Sequence, residues 1–148
     1  MSIDIHTAIV IARPCAEVAA FAGDPGNAPR WYVNIKSVEW QTEPPLRTGS
    51  RMAFVAHFLG KRLAYTYEVT ELVPGQRLVM RTADGPFPMA TIYTWTSLPD
   101  GGTQMTLQNR GEPRGFGRLG APLIAVAMRR AMEKDLRKLK ELLEQRLV

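Results

Sequence analysis

The stretch that decides the fold is LGAPLIAVAMRRAMEKDLRKLKELLEQRL, residues 119–147. Its apolar residues recur every three or four positions, the spacing that places side chains on one face of an α-helix. From Met128 onward the opposite face carries Arg, Lys and Glu, with i,i+4 ion pairs available between Arg137 and Glu141 and between Lys140 and Glu144. We therefore predict one long helix whose apolar stripe is formed by Ile124, Met128, Met132, Leu136, Leu139, Leu143 and Leu147.

The first half of this predicted helix is apolar on all sides. Every residue from Leu123 to Ala127 is apolar. This pattern indicates that the first half is covered on more than one side, or faces an apolar molecule that is not part of the chain. Alanine side chains fill little space, and the alanines of this half are Ala121, Ala125, Ala127 and Ala131.

The composition predicts one domain over residues 1–148. A chain of 148 residues with 45% hydrophobic residues is long enough to bury one sizeable core. A single cysteine, Cys15, excludes an internal disulfide, and no stretch has the pattern of a signal peptide. The longest apolar run, residues 119–128, is half of the ~20 residues that span a bilayer. We expect a soluble, cytoplasmic protein without a transmembrane segment.

The net charge of +5 is unevenly distributed along the chain. Residues 1–109 hold nine basic and nine acidic side chains, whereas residues 110–148 hold ten basic and five acidic ones. An excess of this kind is typical of a solvated helix face. It also permits attraction to an anionic ligand, a membrane surface or an acidic partner. Nucleic acid is not expected, because no basic run is interleaved with aromatic residues.

The segment before the C-terminal helix is predicted to be mostly strand. Alternating apolar residues predict a first strand over residues 3–12, and Pro14 then begins a short helix over residues 14–22, followed by a helical turn at 27–31. Short connections that contain Gly or Pro separate the later strands, which therefore form an antiparallel meander. These later strands are predicted at residues 33–42, 51–59, 63–70, 77–81, 89–95 and 105–110.

These elements predict an α+β fold in which a curved antiparallel sheet of about seven strands wraps around the C-terminal helix. The large inward-facing residues are Phe54, Phe58, Tyr65, Tyr67, Tyr93 and Trp95. Because they face a helix half rich in alanine, we predict an elongated, mostly apolar pocket in which hydroxyls and indole nitrogen need partners from a ligand or water. The alternative is a solid core in which methionines fill the gap, namely Met52, Met80, Met89 and Met128.

Several turn and core residues carry a family resemblance over nearly the whole chain. They are Trp31, Val38-Glu39, Gly49, residues 67–71, Pro74-Gly75, Arg77-Leu78, residues 101–103, Asp135-Leu136, Leu139-Lys140 and Glu144. With this order of elements the chain resembles the bacterial polyketide cyclase/dehydrase and lipid-transport family (SRPBCC) of the START-like helix-grip superfamily. The resemblance implies a helix-grip fold with two short helices after the first strand. It also implies a pocket for a hydrophobic or aromatic small molecule, with loops around Gly60, Gly85 and Gly115 at its mouth.

We predict that this pocket binds or carries its ligand without a cofactor and without a metal. No phosphate-binding loop, nucleophile elbow or Cys/His ligand set is present, and strand parity directs His6 and His57 outward. A lone cysteine such as Cys15 without an adjacent base is usually inert. The predicted ligand-binding residues are Phe54, Phe58, Tyr65, Tyr67, Met80, Met89, Thr91, Tyr93, Trp95, Leu107, Ile124, Ala125 and Met128.

Two alternatives remain open. In the first, the protein is an aromatase/cyclase-type enzyme acting on a polyketide-like substrate, with Tyr65, Tyr67 or Tyr93 as catalytic acids or oxyanion donors. Binding is favoured over this alternative because the predicted inner face carries hydroxyls but no carboxylate or histidine. In the second, the protein is an adaptor that docks acidic partners or membrane through Arg129, Arg130, Lys134, Arg137 and Lys138. We expect a monomer or a homodimer.

Overall fold

The computed structural model describes residues 2–145 and contains three α-helices and seven strands in that range. The helices are α1 (Cys15–Ala22), α2 (Ala28–Trp31) and α3 (Ala121–Glu144), with a 3-10 turn (Pro25–Asn27) before α2. The strands are β1 (Ile3–Ile11), β2 (Ile35–Trp40), β3 (Arg51–Phe58), β4 (Lys61–Val73), β5 (Arg77–Asp84), β6 (Met89–Ser97) and β7 (Thr103–Gly111). The predicted α+β fold is confirmed, while Leu147 of the predicted stripe lies outside the described residues.

The seven strands form one antiparallel sheet in the order β1-β7-β6-β5-β4-β3-β2. This order confirms the predicted meander, because β2 to β7 are neighbours in chain order and β1 joins at the β7 side. Register shifts interrupt the β2–β3 and β4–β5 ladders, between Ile35 and Ser37, Thr66 and Tyr67, and Val69 and Glu71. Such irregularities bend strands and increase their twist, which favours a sheet that curls around a helix.

The apolar stripe of α3 packs into the concave face of the sheet. Met132, Leu136 and Leu139 are at most 1% exposed and join a core that also contains Trp31, Met52 and Leu107. Burial of a leucine side chain contributes about 1.5–3 kcal/mol to folding. The second half of the helix therefore anchors it to the sheet.

Side chains of α3 also cover the free edge of β1. Arg129 donates a hydrogen bond to the His6 carbonyl at 2.9 Å, and Lys140 donates one to the Val10 carbonyl at 2.8 Å. The Glu144 carboxylate accepts a hydrogen bond from the Ala12 N–H at 2.9 Å. An uncovered strand edge is a site for pairing with other chains, so these contacts block edge-to-edge association.

The structure contains one of the two predicted i,i+4 ion pairs of α3 within residues 2–145, and the first half of the helix is less covered than one of our alternatives predicted. Lys140 pairs with Glu144, but Arg137 donates to the Glu133 carbonyl at 3.4 Å and forms no ion pair within residues 2–145. Of the two alternatives for the first half of α3, coverage on more than one side is not found among residues 2–145, while an apolar molecule outside the chain stays a prediction. Leu123 is 61% exposed and Val126 is 50% exposed, because only one side of α3 faces the sheet.

Candidate functional site

A partly enclosed cavity of about 120 Å³ lies between the concave face of the sheet and the first half of α3. The helix contributes residues at helical spacing, and the sheet contributes mostly aromatic and aliphatic side chains. Of the residues predicted to bind ligand, those along the cavity are Phe54, Phe58, Tyr65, Tyr67, Met80, Met89, Thr91, Tyr93, Ile124 and Met128. Residues not predicted from the sequence include Ile3, Tyr32, Asn34, Ile35, Ala56, Leu63, Phe87, Asn109, Phe116, Ala131, Met132 and Asp135.

Three residues of the predicted ligand-binding set lie outside this lining. Trp95 is 5% exposed and packs close to Gly23 at the end of α1, where its indole N–H has no partner within residues 2–145. Leu107 is completely buried in the core. Ala125 lines a shallow groove beside the start of β1, because α3 turns residues 124, 128, 131 and 135 toward the cavity instead.

Methionines surround the cavity without closing it. Met80, Met89, Met128 and Met132 belong to the lining, whereas Met52 is fully buried in the core away from it. Of the alanines expected to leave space, only Ala131 lines the cavity. Flexible thioether side chains adapt their shape to a neighbour at low cost, so they suit a wall that accommodates a ligand.

The hydroxyl groups in the centre of the cavity bind one another. The Thr91 hydroxyl donates to the Asn109 side-chain oxygen at 2.6 Å and therefore accepts from the Tyr67 hydroxyl, 2.8 Å away. We expected the hydroxyls in the pocket to need hydrogen-bond partners from a ligand or water. For Tyr67 and Thr91 that expectation is wrong, because each already has a partner in the protein. Burial raises the pKa of Tyr67 to about 12, although its hydrogen bond to Thr91 lowers it. Tyr67 is therefore a neutral, already occupied donor.

Tyr65 differs from its neighbour. Its ring stacks on Phe54 with centroids 5.4 Å apart and meets Tyr67 edge to face at 5.0 Å. Its hydroxyl makes no hydrogen bond within residues 2–145. Burial raises the pKa of Tyr65 well above its usual value, so the hydroxyl stays neutral. Tyr65 can thus donate a hydrogen bond to a molecule in the cavity.

One side of the cavity contains a buried carboxylate that sequence reasoning missed. Asp135 is 3% exposed, and its Oδ1 accepts a hydrogen bond from the Val33 N–H at 2.9 Å. Burial raises the pKa of Asp135 to about 7, and this effect outweighs the Val33 hydrogen bond and the charge of Lys138, which both lower it. Asp135 therefore changes charge near neutral pH.

Two tyrosines accompany Asp135. The hydroxyls of Tyr32 and Tyr93 lie 2.6 Å apart. Burial is the largest cause of the raised pKa of both groups, and the Asp135 charge raises both further. Tyr32 was also missed, because it follows α2 at a position with no periodic pattern. The prediction that the inner face has no carboxylate is thus wrong. Asp135 is three residues after Met132 and four before Leu139, and this spacing places it on the same face of α3 as the apolar stripe.

Aromatic rings lie at the predicted mouth of the cavity, beside Gly115. Phe116, in the segment between β7 and α3, lies 5.7 Å from Phe58 and 6.0 Å from Phe87 between ring centroids. Lys61 donates a hydrogen bond to the Gly115 carbonyl at 2.9 Å and so joins the β3–β4 turn to this segment. Gly115 has φ 86°, a backbone conformation that residues with a Cβ rarely adopt. Glycine is therefore favoured at position 115.

The remaining candidate groups lie apart from the cavity. His6 and His57 are exposed, as strand parity predicted, and the Cys15 thiol donates to the Gly75 carbonyl at 3.4 Å. Within residues 2–145, no three His, Cys, Asp or Glu side chains are grouped so that they could hold a metal ion. In the same range, no helix combines the length and hydropathy of a bilayer-spanning segment.

The family model described as "Polyketide cyclase / dehydrase and lipid transport" matches residues 2–144. The chain belongs to this family. No curated protein sequence matches the chain.

Several solved structures share the fold of this family member. A protein from Thermus thermophilus superposes with a TM-score of 0.84 at 20% identity, over 99% of this chain and 100% of that chain. A START superfamily protein from Mycobacterium smegmatis has a TM-score of 0.83 at 13% identity, over 96% and 97%. The Zhui aromatase/cyclase from Streptomyces sp. R1128 has a TM-score of 0.83 at 16% identity, over 100% and 97%. At these identities the likeness establishes the helix-grip fold.

Proposed function

We propose that the protein binds or carries a hydrophobic or aromatic small molecule in the cavity between the sheet and α3. The observation that supports this proposal is the unfilled, aromatic-lined space of about 120 Å³ in an otherwise packed core. An engineered apolar cavity of about 150 Å³ binds benzene, so a space of this size is of the order that an aromatic ring needs. The family description, which includes lipid transport, agrees with this proposal. We also propose that the protein carries out this function in the cytoplasm.

The polar groups suggest what the ligand carries. The polar side chains of Asn34 and Arg110 also line the cavity. Because Tyr67 and Thr91 are occupied by each other and by Asn109, two further groups left for a ligand are the Tyr65 hydroxyl and the Asp135 carboxyl. A ligand with an apolar ring body and a hydroxyl or carbonyl group suits both, as a neutral carboxyl and a phenol each donate a hydrogen bond. The cavity volume fits one or two rings, and a larger ligand requires displacement of Phe116.

Titration with 1-naphthol, followed by quenching of tryptophan fluorescence, tests the proposal. Ala131→Leu adds three carbons to the cavity wall, so we expect the affinity to fall about tenfold or more. The matched control is Ala64→Leu, because Ala64 is exposed on β4 and does not line the cavity. Equal affinity of the wild type and Ala131→Leu, or no saturable binding at all, would refute the proposed site.

A second candidate function, an aromatase/cyclase-type enzyme, is favoured by one observation. Asp135 is a buried carboxylate with a pKa of about 7, and enzymes use groups tuned in this way as general acids or bases. When ionised, it could remove the acidic proton between two ketone groups, and the resulting carbanion would attack another carbonyl of the same molecule. The structural relative from Streptomyces sp. R1128 is named as an aromatase/cyclase.

Incubation with a synthetic aromatic triketone, in which a 1,3-diketone can attack a third ketone of the same molecule, separates the two candidates when the products are analysed by mass spectrometry. The enzyme hypothesis predicts a cyclised product formed with loss of water. Asp135→Asn should abolish the formation of this product, while 1-naphthol should still bind. Binding without any product supports the carrier. Turnover that survives in Asp135→Asn would remove Asp135 from the reaction, and turnover that also survives Tyr→Phe at 65, 67 and 93 would remove the predicted tyrosines.

A further inference from the structure

The first half of α3 and the segment before it carry large apolar side chains that are partly exposed in the described chain. Leu119 is 37% exposed, Leu123 61% and Val126 50%. Leu123 and Val126 are three positions apart and therefore share one side of the helix. We call Leu119, Leu123 and Val126 the outer apolar face. Single exposed apolar residues are common, but adjacent ones mark interaction surfaces.

This face continues into the mouth of the cavity. The Leu119 N–H donates to the carbonyl of Phe116, which lines the cavity at its predicted mouth, at 3.3 Å. On the other side, the exposed Leu59 lies in the β3–β4 turn that Lys61 ties to Gly115. The outer apolar face and the mouth are therefore neighbouring parts of one end of the molecule.

Cations surround the same end. Between residues 110 and 130 the chain has five arginines and a single acidic residue, Glu112. Arg114, Arg118 and Arg130 are exposed and form no ion pair within residues 2–145. A surface that combines apolar side chains with unpaired cations matches the interface of an anionic bilayer, which offers acyl chains below a layer of phosphates. A symmetric second copy would instead bring like charges together.

We propose that the protein docks on an anionic lipid bilayer through the outer apolar face. Leu119, Leu123 and Val126 enter the interface, and Arg114, Arg118 and Arg130 bind lipid phosphates. Docking then brings the aromatic mouth to the membrane, where an apolar ligand enters or leaves the cavity. This purpose rests on the proposed ligand binding, whereas the docking itself does not.

Co-sedimentation of the full chain with vesicles tests the docking. We expect binding to vesicles of phosphatidylglycerol and phosphatidylcholine, little binding to phosphatidylcholine alone, and a steep loss with added salt. Leu119→Ser/Leu123→Ser/Val126→Ser should weaken binding about tenfold or more. The matched control is Val10→Ser/Val73→Ser, which changes exposed apolar residues elsewhere.

The charge contribution has its own pair of variants. Arg118→Gln/Arg130→Gln should weaken binding about twenty-fivefold, as each cation near an anionic surface contributes about fivefold. Lys134→Gln/Arg137→Gln removes the same charge from the second half of α3 and should change binding much less. If the two double variants weakened vesicle binding equally, the net charge of the protein alone would determine the binding. That result would refute docking through the outer apolar face and its arginines.

Other outcomes also decide the proposal. If the apolar triple variant binds vesicles like the wild type, or if wild type binds neither kind of vesicle, the docking proposal is wrong. A dimer that the triple variant abolishes, without vesicle binding, would identify a second copy as the occupant and overturn it. Titration with 1-naphthol in solution is measured separately, so failure of docking leaves the proposed ligand binding standing, and the reverse holds as well.

Discussion

Replacement of Asp135 by asparagine should change how the stability of the protein depends on pH. The raised pKa means that the folded state holds a proton that the unfolded chain releases between its ordinary pKa of 3.8 and about 7. Stability is therefore lost as the pH rises through this window, and it stays constant above it. Asparagine does not ionise, while its side-chain oxygen can still accept the Val33 N–H. The stability of the variant should therefore not fall through this pH window on account of position 135.

The size of the effect follows from the two pKa values. Linkage gives a difference of about 2.5 kcal/mol in the Asp135 contribution between about pH 5 and about pH 8. Other carboxylates titrate in the same experiment; the pKa of Glu144, for example, is lowered chiefly by its hydrogen bond from Lys140. The quantity to compare is therefore the free energy of unfolding of the variant minus that of the wild type, at each pH.

Urea unfolding followed by circular dichroism measures this quantity. We expect the variant to gain about 2.5 kcal/mol on the wild type from about pH 5 to about pH 8. Glu133→Gln is the matched control, because Glu133 is an exposed carboxylate on the same helix and should give a nearly constant difference. A constant difference for Asp135→Asn as well would refute the reasoning, since Asp135 would then not hold a proton near neutral pH.

Two further predictions concern the mouth and the anchor of α3. Phe116→Ala removes the ring between Phe58 and Phe87, so association and dissociation of 1-naphthol in stopped flow should both become faster, by more than the affinity changes; unchanged rates would mean that the ligand enters elsewhere. Leu139→Ala should lower the free energy of unfolding by about 2–5 kcal/mol, because Leu139 is completely buried, whereas the exposed Leu123→Ala should cost less than about 1 kcal/mol. Similar costs for the two leucines in urea unfolding would contradict the assigned faces of α3.

Periodicity predicted the fold because each element of this chain carries its own pattern. The meander follows from alternation within strands and from short connections, and both are local. The residues Met132, Leu136, Leu139 and Leu143 are buried as their spacing requires. The start of α3 was predicted two residues early, because apolar residues precede the helix while Pro122 fixes its first turn.

The cavity was harder to predict because it depends on which residues fill space after packing. Parity identifies the face of a strand but not the position along it, so Trp95 and Leu107 were placed with Tyr93 although they lie deeper in the core. Rotation of α3 by a fraction of a turn exchanges Ala125 for Ala131 in the lining. Asp135 was missed for a different reason, because the predicted inner face was assembled from apolar and aromatic residues and did not include a charged residue within the apolar stripe.

The location of the cavity follows from how α3 is held. Two kinds of contact hold its second half in place: buried leucines pack against the sheet, and Lys140 and Glu144 form hydrogen bonds at the edge of β1. Its first half lacks that density, since Leu123 and Val126 face outward and the cover at this end is the segment that carries Phe116. Ligand binding can therefore draw on the part of the helix that contributes least to folding. Substitutions at Met128 or Ala131 should accordingly alter affinity more than stability, and those at Leu136 or Leu139 the reverse.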